Sequence, residues 1–100
     1  MSKFILKITD IALNDMELIA DYIAKDKKNA AVKMLTLFQK SFNILSEHPE
    51  IGVKRPDFTH KDVLFYVIKK HYLVVYRIDN KNLVILRVLT TYQDICALLR

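Results

Sequence analysis

Apolar residues recur every three or four positions over two stretches in the first half of the chain. In residues 11–24 the stripe consists of Ala12, Met16, Ile19 and Ile23, widened by Leu18 and Tyr22. In residues 30–46 it consists of Ala31, Met34, Leu35, Phe38, Phe42 and Leu45. This spacing is typical of amphipathic helices. The polar run 25–29 predicts a short turn, so the two helices should form an antiparallel hairpin.

The ends of both predicted helices carry recognisable signals. Thr9-Asp10 supplies an N-terminal cap for the first helix, and Asp15 and Glu17 follow early enough to favour its start. His48-Pro49 ends the second helix, because the residue before a proline avoids the helical region.

The remaining apolar runs are typical of strands. Runs rich in β-branched and aromatic residues span 3–9, 63–68, 72–78 and 83–89. The last three are separated by only three or four residues, which allows antiparallel hairpins but no parallel return. Residues 92–99 predict a short terminal helix, and the irregular stretch 47–62 holds Gly52 and both prolines. We expect a single α+β domain over residues 1–100. It should be a helical hairpin packed on a small antiparallel sheet, in the order β-α-α-β-β-β-α.

The amino-acid composition excludes several kinds of functional site. One cysteine excludes an internal disulfide and a cysteine-based zinc cluster, and one glycine excludes a glycine-rich phosphate loop. We expect no metal and no cofactor.

The longest apolar run, Val63–Ile68, is far too short to span a membrane, and the first ten residues lack the apolar region of a signal peptide. The chain is therefore expected to be cytoplasmic, without membrane association.

The positive charge is unevenly distributed. Residues 1–50 carry seven basic and seven acidic residues, whereas residues 51–100 carry nine and four, so the net charge of +5 lies in the second half. Such a balance suggests an acidic partner: nucleic acid, an acidic protein segment or a membrane surface. The alternative is that lysines simply keep an apolar protein in solution.

Two arginines lie inside runs that otherwise predict buried strands. An arginine at Arg77 or Arg87 is costly unless it forms an ion pair, for instance with Asp79 or Asp94, or lies at a binding face. A two-residue turn at Asn80-Lys81 would pair residue 74 with 87 and place the arginines on opposite faces. A three-residue turn would pair residue 75 with 87 and place them on one face.

Further candidates lie outside the strands. Lys54 and Arg55 lie in the irregular stretch, where binding residues are common. Tyr92, at the start of the predicted terminal helix, either stacks on a base or covers the edge of the core. The target- or partner-binding candidates are Lys54, Arg55, Arg77, Arg87 and Tyr92.

The histidines His48, His60 and His71 lack the spacing of metal ligands and are expected to be ordinary loop residues, and Cys96 is expected to be a buried small hydrophobe.

Several segments in order give the chain a resemblance to a known family. They are LIADYIAKD (18–26), Leu45–Pro49 running into Ile51–Arg55, Tyr72–Ile78, and Ile85–Leu89 followed by Asp94-Ile95 and Leu98-Leu99. With the predicted element order, they resemble the RelE/ParE superfamily of toxins from bacterial type II toxin–antitoxin modules, over nearly the full length.

The resemblance implies one of two activities. RelE-like toxins cut messenger RNA on the ribosome with basic residues and a tyrosine, whereas ParE-like toxins bind DNA gyrase and lack that catalytic set. Leu73, Gln93 and Leu99 stand where RelE carries an arginine, a basic residue and its tyrosine, so this chain is closer to ParE. It also differs from ParE, because Thr90–Asp94 replaces a histidine and a basic pair before the aspartate.

Three hypotheses follow from the resemblance. The first is a non-enzymatic inhibitor of DNA gyrase that a cognate antitoxin neutralises, with no catalytic residue. The second is a ribosome-dependent endoribonuclease with Arg55, Arg77, Arg87 and Tyr92 as its catalytic candidates, the ribosome and messenger RNA being its targets. The third is a degenerate, non-toxic module that only binds its antitoxin.

Overall fold

A computed structural model describes residues 3–100 and shows the predicted element order. The elements are β1 (Ile5–Ile8), α1 (Asp10–Ala24), α2 (Lys28–Glu47), β2 (Leu64–Ile68), β3 (Tyr72–Asp79), β4 (Asn82–Thr90) and α3 (Ile95–Leu98). A single 3-10 turn, Pro49–Ile51, interrupts the stretch between α2 and β2. Thr9 caps α1 as expected, because its side chain accepts a hydrogen bond from the Ala12 N–H. The fold is α+β, and its hairpin of helices is confirmed.

The four strands lie in the order β1-β4-β3-β2. Strands β2, β3 and β4 pair antiparallel, as their short connections predict. Strand β1 departs from a wholly antiparallel sheet, because it pairs parallel to β4 from Ile5–Asn82 to Ile8–Ile85. A parallel pair needs a long crossover connection, and here the helices and the two hairpins lie between the two strands.

The two helices cover one face of the sheet. Phe38, Phe42 and Leu45 of α2 are fully buried against Tyr76 and Ile85. The apolar face that the two helices bury is narrower than the sequence predicts, since Leu18, Tyr22 and Leu35 are exposed. The helices therefore leave apolar side chains of α1 facing solvent.

The opposite face of the sheet carries a second, smaller core. Leu73, Val75 and Leu89 pack there against Phe65 of β2 and Ile95 of α3. The irregular stretch closes this core, because Val53 forms an isolated antiparallel bridge with Phe65. The loop containing Lys54 and Arg55 is thereby held against the sheet.

The C-terminal helix is shorter than residues 92–99. It begins after Asp94, whose carboxylate accepts the Ala97 N–H at 3.2 Å, and it makes a single turn. Gln93 folds back on the end of β4, with Oε1 accepting the Thr90 N–H at 2.7 Å. Tyr92 therefore lies in a turn and not in a helix.

Cys96 corrects a second expectation about the same segment. Its side chain is exposed, with Sγ 3.4 Å from the Asp57 carbonyl oxygen, so it is not part of the core. A one-turn helix presents only one narrow stripe to the sheet, and Ile95 and Leu99 occupy it.

The irregular stretch is anchored at Gly52. The Tyr76 hydroxyl donates a hydrogen bond of 2.6 Å to the Pro49 carbonyl and accepts one of 2.9 Å from the Gly52 N–H. A Cβ at residue 52 would lie 2.7 Å from ring carbons Cε1 and Cζ of Tyr76, and closer still to its hydroxyl. Only glycine allows the backbone to approach the ring this closely.

No helix in residues 3–100 is both long and apolar enough to cross a membrane.

Candidate functional site

Arg87, a candidate catalytic residue, forms an internal ion pair. Its Nε lies 2.8 Å from Oδ2 of Asp15 and its Nη2 lies 2.9 Å from Oδ1, so the pair is bidentate. Oδ2 of Asp15 also accepts the Val88 N–H at 2.9 Å. The partner is thus a carboxylate on α1, and neither Asp79 nor Asp94. The hydrogen bond to Asp15 raises the pKa of Arg87 further above its ordinary value.

The pairing of β3 with β4 combines the two registers that the sequence allows. Asp79 pairs with Asn82 across a two-residue turn, but Tyr76 pairs with Ile85 and Val75 with Arg87. Leu86 is therefore an extra residue with no partner in β3, which defines a β-bulge. The bulge gives Arg87 the partner that the three-residue turn predicts, although the turn itself has two residues.

Arg77 lies on the other side of the sheet from the helices. It follows Tyr76, which belongs to the helix-side core, and side chains alternate along a strand. The side chain is exposed and forms no ion pair within residues 3–100. Although the pairing of Val75 with Arg87 is the one expected to place both arginines on one face, the Arg87 side chain reaches Asp15 on α1, so the two arginines do not act at one site.

Arg55 and Lys54 are paired within their own loop. Arg55 forms a bidentate pair with Asp57, at 2.9 and 2.7 Å, and its Cζ lies 4.1 Å from the centre of the Phe58 ring. The hydrogen bond raises the pKa of Arg55 and lowers the pKa of Asp57. Lys54 Nζ lies 3.1 Å from Oδ1 of Asp62. Asp57 and Asp62 thus neutralise both cations locally.

Tyr92 is strongly exposed. Its side chain is 81% exposed, and its ring stacks on His71 with 5.8 Å between the ring centres. The Tyr92 hydroxyl lies 3.1 Å from Nδ1 of His71. His71 is therefore more than an ordinary loop residue, because it fixes the orientation of Tyr92.

The structure does not bring the five candidates together. Arg77 pairs with Val84, six residues along β4 from Thr90, which places it about 20 Å from the turn that carries Tyr92. Arg87 is bound to α1 and Arg55 is bound to its own loop. One recess is lined by Tyr92 and another by Arg55, and neither of these two includes a second candidate.

A groove lies beside Tyr92 on the helix side of the sheet. It has a volume of about 510 Å³ and lies between α1 and the ends of β3 and β4. Leu18 and Tyr22, 60% and 71% exposed, line it on the helix side, and His71 and Tyr92 line it on the sheet side. Asp15 and Gln93 contribute polar groups. We call this recess the aromatic groove.

Most of the aromatic groove is not evident from the sequence pattern. Leu18 and Tyr22 fit the periodic stripe of α1, so they were predicted to face the core. The available signal was the width of that stripe, because ten of the fourteen residues 11–24 are apolar, whereas one core-facing stripe uses about three to four in every two turns. For His71, the sequence indicates only a position between two predicted strands.

The described part of the chain, residues 3–100, contains no cluster of three or more His, Cys, Asp or Glu side chains placed to hold a metal ion.

Comparison with known proteins agrees with the fold. Two solved structures are each 22% identical to this chain. The chromosomal ParDE toxin–antitoxin system from P. aeruginosa aligns over 90% of this chain and 98% of its own, with a TM-score of 0.74. The toxin–antitoxin complex RelBE2 from Mycobacterium tuberculosis aligns over 88% of this chain and 98% of its own, with a TM-score of 0.59.

The family follows from the sequence itself. No curated protein sequence matches the chain. The family model of the ParE toxin of type II toxin–antitoxin systems, parDE, matches residues 6–95. That match extends from β1 to the start of α3 and includes every strand and both long helices. The chain therefore belongs to the ParE toxin family and is a toxin of the type II toxin–antitoxin class.

Proposed function

We propose that this toxin arrests growth by binding DNA gyrase, without catalysing a reaction, and that a cognate antitoxin neutralises it. The observation that carries the proposal is the dispersal of the candidate nuclease residues. RNA cleavage needs an acid, a base and a phosphate-stabilising cation within hydrogen-bond reach of the same phosphodiester. Arg77 is about 20 Å from Tyr92, and Arg87 is already bound to Asp15.

The charge pattern supports a binding role over a catalytic one. Lys54, Arg55 and Arg87 all have carboxylate partners in the chain, so their charge is balanced where a nuclease would need it free. A rigid surface that recognises a large protein target requires no such free cluster.

The aromatic groove supports an antitoxin as partner. Exposed aromatic side chains are the type that dominates protein–protein affinity, and an amphipathic helix or extended segment fits a groove of this kind. The similar structures from P. aeruginosa and M. tuberculosis are toxin–antitoxin assemblies. We therefore assign Tyr22 and Tyr92 as antitoxin contacts.

The target is tested by inducing the chain without antitoxin and pulse-labelling DNA and protein synthesis separately. DNA synthesis should fail first. In vitro, the purified chain should inhibit ATP-dependent supercoiling of a relaxed plasmid by gyrase while leaving translation of a reporter messenger RNA unaffected. Earlier failure of protein synthesis, with cleaved messenger RNA, would favour the endoribonuclease. Folded protein with no effect on either synthesis would favour the non-toxic antitoxin-binding module.

The antitoxin contact is tested with single alanine variants. Tyr22→Ala and Tyr92→Ala should each weaken binding of the cognate antitoxin about tenfold or more, as expected for exposed aromatic anchors. Ile44→Ala is the matched control, because Ile44 is an exposed apolar residue on α2 that does not line the groove. Equal weakening by all three variants would contradict the assignment.

A further inference from the structure

A second cleft, on the outer side of α2, differs in chemistry from the aromatic groove. It has a volume of about 530 Å³ and extends from the turn between α1 and α2 to the turn between β2 and β3. Lys33 and Lys40 of α2 and Lys69 of the β2–β3 turn line it, and no carboxylate does. The rest of its lining is Thr36 and five apolar residues, Ile23, Ala30, Val32, Met34 and Leu37. We call this recess the lysine cleft.

The positive charge of the lysine cleft is not balanced by neighbouring groups. Lys25, Lys27 and Lys28 lie in or next to the α1–α2 turn, close in sequence to the cleft residues Ile23 and Ala30. Asp26 is the only acidic residue from Lys25 to Ser46. None of the lysines at 25, 27, 28, 33, 40 and 69 forms an ion pair within the described part of the chain. The three cleft lysines and the three lysines near the α1–α2 turn are thus exposed cations without an ion-pair partner in residues 3–100.

The β2–β3 turn places lysines where the backbone disfavours them. Lys69 and Lys70 have φ angles of 52° and 65°, and the His71 N–H closes the turn on the Ile68 carbonyl. Two consecutive left-handed residues favour Asn-Gly, since a side chain adds strain there. Lys69 lines the lysine cleft and Lys70 lines a separate recess, so the turn contributes one cation to the cleft.

The spacing of the cations suits a linear polyanion. Lys33 and Lys40 are seven residues apart on α2, so they lie on the same helix face with a separation of about 10 Å along the axis. Lys69 adds a third cation from the sheet side of the cleft. Lysines contact phosphate as point charges and carry no preference for a base.

The residue types favour nucleic acid over a protein partner. Lysine is depleted in the centre of protein–protein interfaces, where aromatic side chains and arginine are enriched. The lining of the lysine cleft includes no aromatic residue and no arginine, whereas three tyrosines line the aromatic groove. We propose that the lysine cleft binds the phosphate backbone of nucleic acid without sequence preference, an activity additional to target binding and independent of the target's identity.

The test is fluorescence anisotropy of a labelled 20-base-pair duplex of arbitrary sequence, titrated with the purified full-length chain at several salt concentrations. Lys33→Gln/Lys40→Gln/Lys69→Gln should weaken binding at least tenfold at low salt. The slope of log affinity against log salt should fall by about 0.9 for each lysine that contacts a phosphate. A duplex of unrelated sequence should bind with equal affinity.

The matched control changes the same number of charges elsewhere. Lys7→Gln/Lys61→Gln/Lys81→Gln alters three exposed lysines that lie outside the cleft and form no ion pair in residues 3–100. It should change the affinity less than twofold, and thermal melting should show that both variants are folded. Equal weakening by both would overturn the proposal in favour of overall charge. Tighter, cleft-dependent binding of a 20-residue polyglutamate peptide would overturn it in favour of an acidic protein.

Discussion

The carboxylate of Asp15 on α1 binds the guanidinium of Arg87 on β4 through two hydrogen bonds of 2.8 and 2.9 Å. Asp15 also accepts the Val88 N–H, so one side chain ties the helical hairpin to the strand just after its bulge. Both partners are largely buried. Arg87, a predicted catalytic candidate, therefore connects α1 to β4.

Removing one partner of this pair should be costly. Asp15→Ala is expected to lower the free energy of unfolding by about 3 kcal/mol, because it leaves the Arg87 charge largely buried without its counterion. Urea denaturation measures the change. Asp21→Ala, an exposed aspartate on the same helix with no ion pair in the described chain, should change it by no more than about 0.5 kcal/mol.

Replacing both partners of the ion pair tests whether Arg87 has a structural role or contacts the target. Asp15→Leu/Arg87→Met should recover most of the lost stability, since the apolar pair leaves no buried charge. The double variant should still arrest growth if Arg87 is structural. A stable but non-toxic double variant would show that the guanidinium itself contacts the target, and a double variant no more stable than Asp15→Ala would contradict the ion-pair explanation.

The contact between Gly52 and Tyr76 predicts coupled effects. Tyr76→Phe should lower the free energy of unfolding by about 1–3 kcal/mol, because the Pro49 carbonyl and Gly52 N–H lose their partner. Gly52→Ala should lower it by a similar amount or more, because the new Cβ meets the Tyr76 ring. The double variant should lose less than the sum, as residues in contact do. Strict additivity would mean that the two residues act independently.

Stability at high pH should depend on the same tyrosine. Burial raises the pKa of the Tyr76 hydroxyl above its ordinary value of about 10. The unfolded chain therefore releases this proton first as the pH rises, so the stabilisation is complete below pH 10 and declines above it. The free energy of unfolding measured between pH 8 and 11 should fall more steeply for the wild type than for Tyr76→Phe. Parallel curves would exclude this contribution.

The exposed thiol of Cys96 predicts reactivity in the native state. One equivalent of a disulfide reagent such as dithionitrobenzoate should react with the folded chain without denaturant, because the sulfur is accessible. Cys96→Ser should abolish the reaction and leave the free energy of unfolding nearly unchanged. A thiol that reacts only after unfolding in guanidinium would restore the original expectation of a buried cysteine.

The periodicity of apolar residues was sufficient to predict the fold. The helical stripes of residues 11–24 and 30–46 and the short gaps between strands define α1, α2 and both hairpins within a few residues. Strand pairing across long separations left no comparable pattern, so the parallel contact of β1 with β4 was not predicted. The register of Arg87 depends on the extra residue Leu86, which no local spacing reveals.

The candidate site was predicted less well, for a physical reason. Sequence patterns distinguish apolar from polar residues, but they do not show which apolar residues the sheet is wide enough to cover. Leu18 and Tyr22 were therefore assigned to the core, although they line the aromatic groove. Asp15 was interpreted as a charge that favours the helix start, whereas its partner is 72 residues away. Long-range polar pairs of this kind become visible only in three dimensions.

The parallel pairing of Ile5 with Asn82 has a consequence for how the chain is made on the ribosome. The helical hairpin is synthesised early, but the inner strand of its sheet emerges last among the strands. Until β4 has left the exit tunnel, Phe38 and Phe42 have only part of their packing surface, and Asp15 has no arginine to bind. Folding of the toxin is thus delayed until β4 has been synthesised, and a product truncated before β4 is expected to be inactive and readily degraded.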